Sequence, residues 1–175
     1  VVYNEAEVSS DKGKKGKRLR LGVLASGGGT NLQSIIDRSS DGSLPADVMV
    51  VISNNSGAGA LERARAAGIE TLHVSAATEG SFDAADERIA RELSARRVDL
   101  VVLAGYMKMI GPAMLRDFAG RMINIHPALL PKFGGPGMYG MRVHEAVLAA
   151  GEKESGATVH VVDGEYDHGG ALAQE

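Results

Sequence analysis

From residue 19 onward, apolar and polar positions follow two alternating rhythms. Short runs rich in β-branched residues are separated by stretches in which apolar residues recur every three or four positions. The runs at 19–25, 48–53, 71–74, 98–104, 121–125 and 157–162 read as strands, and the stretches at 32–38, 58–67, 84–97, 114–118 and 145–150 as helices. Gly68 stands where a helix commonly ends. Ile89 and Leu93, four apart, share one helical face. The run Val98-Asp99-Leu100-Val101-Val102-Leu103-Ala104 is nearly continuous in apolar character, as expected of a central parallel strand buried on both faces. Strand–helix alternation predicts an α/β fold, an open, mostly parallel, doubly wound sheet with helices on both faces. The chain has no internal repeat and no second domain by this pattern. In such sheets ligands bind beyond the carboxyl ends of the strands. The segments to search are therefore 27–31, 53–57, 105–110, 124–140 and 163–170.

Composition narrows the chemistry. The 175 residues include 23 glycines and no cysteine, which excludes disulfides, thiolate metal ligation and a cysteine nucleophile. Glycine is about twice its usual ~7% share without a collagen period, so the excess is placed locally. The net charge of −3 argues against a general nucleic-acid binder. No apolar run approaches the ~18 residues of a membrane helix. Residues 1–18 end in Asp11-Lys12-Gly13-Lys14-Lys15-Gly16-Lys17-Arg18, a positive stretch with no export-length apolar region behind it. They read as a flexible basic leader, with a nucleic-acid arm as the alternative, on a domain covering 19–175 in a reducing, cytoplasmic location.

Three segments carry candidate chemistry. Gly27-Gly28-Gly29-Thr30-Asn31 joins a strand to a helix start, where free N–H groups and the helix dipole favour an anion. A dinucleotide fingerprint would need glycine where Leu32 stands, and a Walker A loop would need Gly-Lys-Ser/Thr. Phosphate binding outside those cofactor classes is the functional reading, and a tight turn the structural one. In Asn124-Ile125-His126-Pro127, strand alternation puts Asn124 and His126 on one side, so that an amide donor and an imidazole can act together on an oxyanion and a proton. His73, His144 and His168 read as ordinary side chains, and His160 as either core or site. In 163–170, either Asp163 or Asp167 could orient an imidazole, and spacing does not choose between them. No metal-binding pattern is present.

Together, Ser26-Gly27-Gly28-Gly29-Thr30-Asn31-Leu32-Gln33, Leu61-Glu62-Arg63-Ala64, Leu103-Ala104-Gly105-Tyr106-Met107, Asn124-Ile125-His126-Pro127-Ala128-Leu129-Leu130-Pro131 and Gly156-Ala157-Thr158-Val159-His160 resemble the glycinamide ribonucleotide formyltransferases of the formyl-folate transferase family. The resemblance implies formyl transfer from 10-formyltetrahydrofolate, as co-substrate and without a metal, to the amine of glycinamide ribonucleotide in purine synthesis. It implies that Gly29, Thr30 and Asn31 hold the substrate phosphate, and that Met107, Lys108, Met109, Ile110 and Asn124 line the folate pocket. Asn124, His126 and Asp167 are then the catalytic group, with Thr158 and His160 behind them. The expected partners are these small molecules alone, with neither nucleic acid nor membrane, and a monomer or homodimer.

Four departures accompany the resemblance. Segment 133–140 is longer and richer in glycine than usual and is expected to close over the ribose. Gly170-Ala171 replaces the more common proline and β-branched pair. An arginine that some members use for the folate tail is absent around 81–83. The family's C-terminal strand and helix are expected to lie outside this chain. Competing readings are a formyltetrahydrofolate hydrolase, which uses a similar Asn/His/Asp group but usually carries an N-terminal regulatory domain, and a non-catalytic phosphate- or nucleotide-binding module. An initiator-tRNA transformylase would need a further C-terminal domain and a basic surface.

Overall fold

The computed structural model describes residues 17–175; residues 1–16 of the expected 1–18 leader lie outside the described residues. Thirteen elements follow in order: β1 (Leu19–Leu24), α1 (Thr30–Ser40), β2 (Ala46–Ser53), α2 (Gly59–Ala66), β3 (Thr71–His73), α3 (Ala76–Glu79), α4 (Phe82–Ala95), β4 (Leu100–Leu103), α5 (Pro112–Asp117), β5 (Met122–His126), α6 (Met141–Ala149), β6 (Thr158–Val161) and β7 (Ala171–Gln174). One seven-stranded sheet runs β3-β2-β1-β4-β5-β6-β7. Its first five strands are parallel, while β6 pairs antiparallel with β5 and β7 antiparallel with β6.

β4, the run expected to be central, is the fourth of the seven strands and has parallel neighbours on both sides. Alternation sends successive side chains to opposite faces. Val23 and Val51 join Leu32, Ile36, Leu61 and Ala64 in a layer under α1 and α2. Leu24, Val50, Ile52, Val101 and Leu103 join Ile89, Leu93, Met114 and Phe118 in the opposite layer under α4 and α5. The chain winds outward from β1 to β3, then returns to place β4 on the other side of β1. The switch point therefore lies between the carboxyl ends of β1 and β4, the predicted ligand location.

Several boundaries differ from the sequence pattern, each for a local reason. α3 forms because Ser75 and Thr78 cap one another reciprocally, a polar signal that an apolar pattern misses. α4 begins at Phe82 because the Ser81 hydroxyl accepts the Ala84 N–H at 3.0 Å. α6 begins four residues before the expected start at 145, buries Val143 and Val147, and so takes His144 onto the helix. β7 is an edge strand exposed at every position, without the apolar alternation that would announce it. The anchored chain begins before residue 19: Arg18 donates to Asp47 and to the Ser39 and Ala46 carbonyls, and Lys17 lies 3.6 Å from Asp99. No helix among the described residues is long and apolar enough to cross a membrane.

Candidate active site

A cavity of about 570 Å³ opens at the carboxyl ends of β1, β4 and β5. Thr30 and Asn31 line one end, Met107, Lys108, Met109 and Ile110 one wall, and Asn124, His126, His160 and Asp167 its floor. Segments distant in sequence converge here: those after β1, β4 and β5 leave the carboxyl ends of parallel strands, while His160 and Asp167 come from antiparallel β6 and the loop after it. Gly29 stands behind the lining as the N-cap of α1.

The glycine turn has both structural and open parts. Gly29 has φ +76°, and a Cβ there would meet the Ala60 Cα at 2.6 Å, so both backbone conformation and the docking of α2 require glycine. α2 is held against the turn by Ala60 N–H to the Gly27 carbonyl at 3.0 Å and by Arg63 to the Gly28 carbonyl at 2.8 Å. A Cβ on Gly27 or Gly28 would meet nothing within 4 Å, so packing accounts for only one of the three glycines. No side chain caps α1, which leaves its first-turn N–H groups beside Thr30 and Asn31, where helix-end donors attract an anion.

The polar floor is assembled from β5, β6 and the loop after β6. Asp167 Oδ1 lies 3.5 Å from both His126 Nδ1 and His160 Nε2. Its other oxygen accepts the Gly135 N–H at 3.0 Å. Burial pushes the Asp167 carboxyl up, but the His160 contact, the Gly135 N–H and the charge of His126 outweigh it and hold the group below its ordinary 3.8. His126 is buried, and its Nε2 lies 2.8 Å from the Phe133 carbonyl, which can only accept, so that nitrogen carries hydrogen. The same logic gives His160 an Nδ1–H, 3.0 Å from the Val161 carbonyl. His160 Nε2 then meets the Asn124 amide nitrogen at 3.0 Å. Asp167 raises the His160 pKa above its ordinary value against the opposing effect of burial. The neutral ring accepts from the Asn124 amide, and the charged ring donates to Asp167 instead.

The two aspartates both line the cavity but have different neighbours. Asp163 is exposed, takes the Glu165 N–H and lies 3.2 Å from exposed His168, whereas Asp167 faces His126. Thr158 does not line the cavity. Its fully buried hydroxyl donates to the Ala128 carbonyl at 2.7 Å and accepts from Leu130 N–H and the Gln174 amide, fastening the turn after β5. Segment 133–140 forms a rim: Gly135, Gly137, Met138, Tyr139 and Gly140 face the cavity. Gly135 has φ +96°, which admits glycine at no strain while its N–H reaches Asp167.

Two residues escaped the sequence reading. His144, taken as ordinary, lines the cavity from the first turn of α6. The four-residue spacing of Val143 and Val147 was the signal that would have extended that helix and drawn His144 in. Gln174 ties β7 to the same turn as Thr158, through the Leu130 carbonyl at 2.8 Å, and had no local signal. Among the described residues no cluster of three or more His, Asp or Glu side chains is placed to hold a metal ion.

The fold and site define an open, doubly wound α/β domain with a polar cavity at its switch point. The Formyl transferase family profile spans residues 19–175, and the chain belongs to that family. It is 41% identical over 156 residues to the phosphoribosylglycinamide formyltransferase of Escherichia coli (strain K12), covering 89% of this chain and 71% of that protein. It is 44% identical over 159 residues to the chloroplastic phosphoribosylglycinamide formyltransferase of Arabidopsis thaliana, covering 90% of this chain and 54% of that one. The chain thus spans about half the length of the curated plant relatives it matches. The crystal structure of glycinamide ribonucleotide transformylase 1 from Symbiobacterium toebii superposes with a TM-score of 0.85 at 44% identity, over 91% of this chain and 73% of that one.

Proposed function

We propose that the domain formed by residues 19–175 transfers the formyl group of 10-formyltetrahydrofolate to the amine of glycinamide ribonucleotide. The observation that carries this reading is the cavity floor, where Asp167 touches His126 and His160 while Asn124 stands beside them, between the uncapped turn at Thr30 and the 107–110 wall. The Gly29, Thr30 and Asn31 end receives the substrate phosphate. The folate lies along Met107, Lys108, Met109 and Ile110. This arrangement presents the substrate amine to the formyl carbon over Asn124 and His126.

The amine attacks the formyl carbon, forming a C–N bond and a tetrahedral centre with negative oxygen. Asn124 stabilises that oxygen, joined by the His126 Nε2–H once it exchanges the Phe133 carbonyl for the substrate, and Asp167 orients the imidazole through Nδ1. A proton leaves the new ammonium and reaches N10 of the folate as the old C–N10 bond breaks, releasing tetrahydrofolate. Positioning and oxyanion stabilisation supply the rate, and no covalent enzyme intermediate is required. Thr158 and His160 act by holding the turn after β5 and the Asn124 amide.

The test mixes the protein with 10-formyltetrahydrofolate, with and without glycinamide ribonucleotide, and follows folate absorbance. Turnover only with both substrates is the expected result. Formate release from the folate alone would make the domain a hydrolase, and no turnover in either mixture would make it a binding module; both overturn the proposal.

A further inference from the structure

The wall that faces the floor, residues 107–110, belongs to neither a helix nor a strand, yet its two ends are held. At the far end the buried Asp86 carboxylate takes the N–H groups of Gly111, Ala113 and Met114 at 2.9, 2.8 and 3.2 Å, which fastens the segment to the start of α5. At the near end the Met107 N–H donates to the Ser26 hydroxyl at 2.8 Å. That hydroxyl donates to Asn54 Oδ1 at 2.5 Å. The Ser26 N–H also meets the Gly105 carbonyl at 3.0 Å. Ser26 immediately precedes the glycine turn, Asn54 follows β2, and Met107 follows β4. One hydroxyl therefore joins the loops leaving three strands, with its donor spent on Asn54 and an acceptor site on Met107.

We propose that Ser26 is a positioning residue that couples the two ends of the cavity. Through it, an anion settling on the turn at Thr30 and Asn31 orders the 107–110 wall, and a ligand along that wall in turn steadies the turn. This rests on the proposed function for the identity of the two ligands, but the junction itself does not. The direction of each hydrogen bond follows from its atoms: an amide N–H can only donate to Ser26, which leaves the serine proton for the Asn54 carbonyl oxygen. Alanine at 26 removes both bonds at once and leaves two partners at the cavity edge to water. Threonine keeps the hydroxyl. Coupling between ligands is reciprocal, so each substrate should improve the apparent affinity of the other by one common factor.

The experiment has two arms on the same proteins: wild type, Ser26→Ala, Ser26→Thr and Asn54→Ala. The first needs no substrate and measures amide hydrogen exchange. Ser26→Ala is expected to speed exchange at Met107 by ~10-fold or more, and Val101 and Leu103 in β4 are expected to be unchanged, since one lost hydrogen bond opens a segment without opening the sheet. The second arm measures the KM of each substrate at low and saturating concentrations of the other. Ser26→Ala is expected to raise the folate KM by ~5- to 10-fold, change kcat less than threefold and bring the coupling factor close to one, with Ser26→Thr restoring coupling. Asn54→Ala keeps Ser26 and is expected to show an intermediate loss, which gives a second reading if Ser26→Ala is poorly folded. Unchanged Met107 exchange in Ser26→Ala overturns the junction. Unchanged coupling with normal wild-type turnover overturns the role of Ser26 alone, and absence of wild-type turnover overturns the proposed function while the exchange arm still judges the junction.

Discussion

The parallel half of the sheet and the region after β5 are stabilised by different interactions. β1 to β5 and their helices bury continuous apolar layers, with Val23, Leu24, Val50, Val51, Ile52 and Val101 wholly covered. After His126 the apolar content thins. α6 buries only Val143 and Val147, its Leu148 is 77% exposed, and β7 is exposed throughout. What organises this second region is polar: Thr158 to Ala128 and Leu130, Gln174 to Leu130, His126 to Phe133, and Asp167 to Gly135. Apolar burial is non-directional and supplies a stable platform, whereas hydrogen bonds fix atoms in place at little net stabilisation. The site sits at the seam, where Asn124 and His126 end the last parallel strand and the polar region supplies Asp167 and His160.

Substitutions on the two sides of that seam should therefore fail differently. Phe118→Ala, deep in the apolar layer, is expected to cost about 3–5 kcal/mol in chemical denaturation and to leave turnover per folded molecule nearly intact. A large loss of kcat at full foldedness would break the division. His126→Ala should do the reverse, lowering kcat by ~10²–10³ with a far smaller loss of stability. Near-normal transfer by that variant would remove His126 from the chemistry.

Thr158→Val preserves shape but leaves the Leu130 N–H without its partner, so about 1–3 kcal/mol of local stability should go. Hydrogen exchange should quicken at 128–133 and not in β1 or β4; a uniform change would mean that the two regions are one cooperative unit.

The smallest effect expected is on pH dependence. Asp167 has a lowered pKa in the fold, so its stabilisation is present above the ordinary 3.8 and is lost as pH falls through the folded value. His160 has a raised one, so its share is complete below 6.5 and is lost as pH rises through its folded value. The stability difference between wild type and Asp167→Asn should be largest between those limits and shrink on both sides. A difference independent of pH from 3 to 8, in urea unfolding, would refute the ionic account of the floor.

Much of this molecule is legible residue by residue. The strands β1 to β5 and helices α1, α2 and α4 follow from apolar spacing, because each element is chosen by side chains within its own window and the sheet only has to accept them. The glycine turn and the Asn124–His126 pair were visible for the same reason: helix start and strand alternation are local facts. α3, the first turn of α6 and the edge strand β7 depend on reciprocal caps, a modest two-valine face and pairing to a distant strand, none of which leaves a strong apolar pattern. The choice between Asp163 and Asp167 was open because both sit in one short loop. In space their neighbours differ: the chain turns Asp167, at φ +53°, toward two imidazoles from β5 and β6, while Asp163 lies beside His168. Likewise nothing near Ser26 announces Asn54 and Met107 as its partners, 28 and 81 residues away. Local periodicity selects elements, but a hydrogen bond between the ends of separate strands exists only once their order in the sheet has brought those ends together.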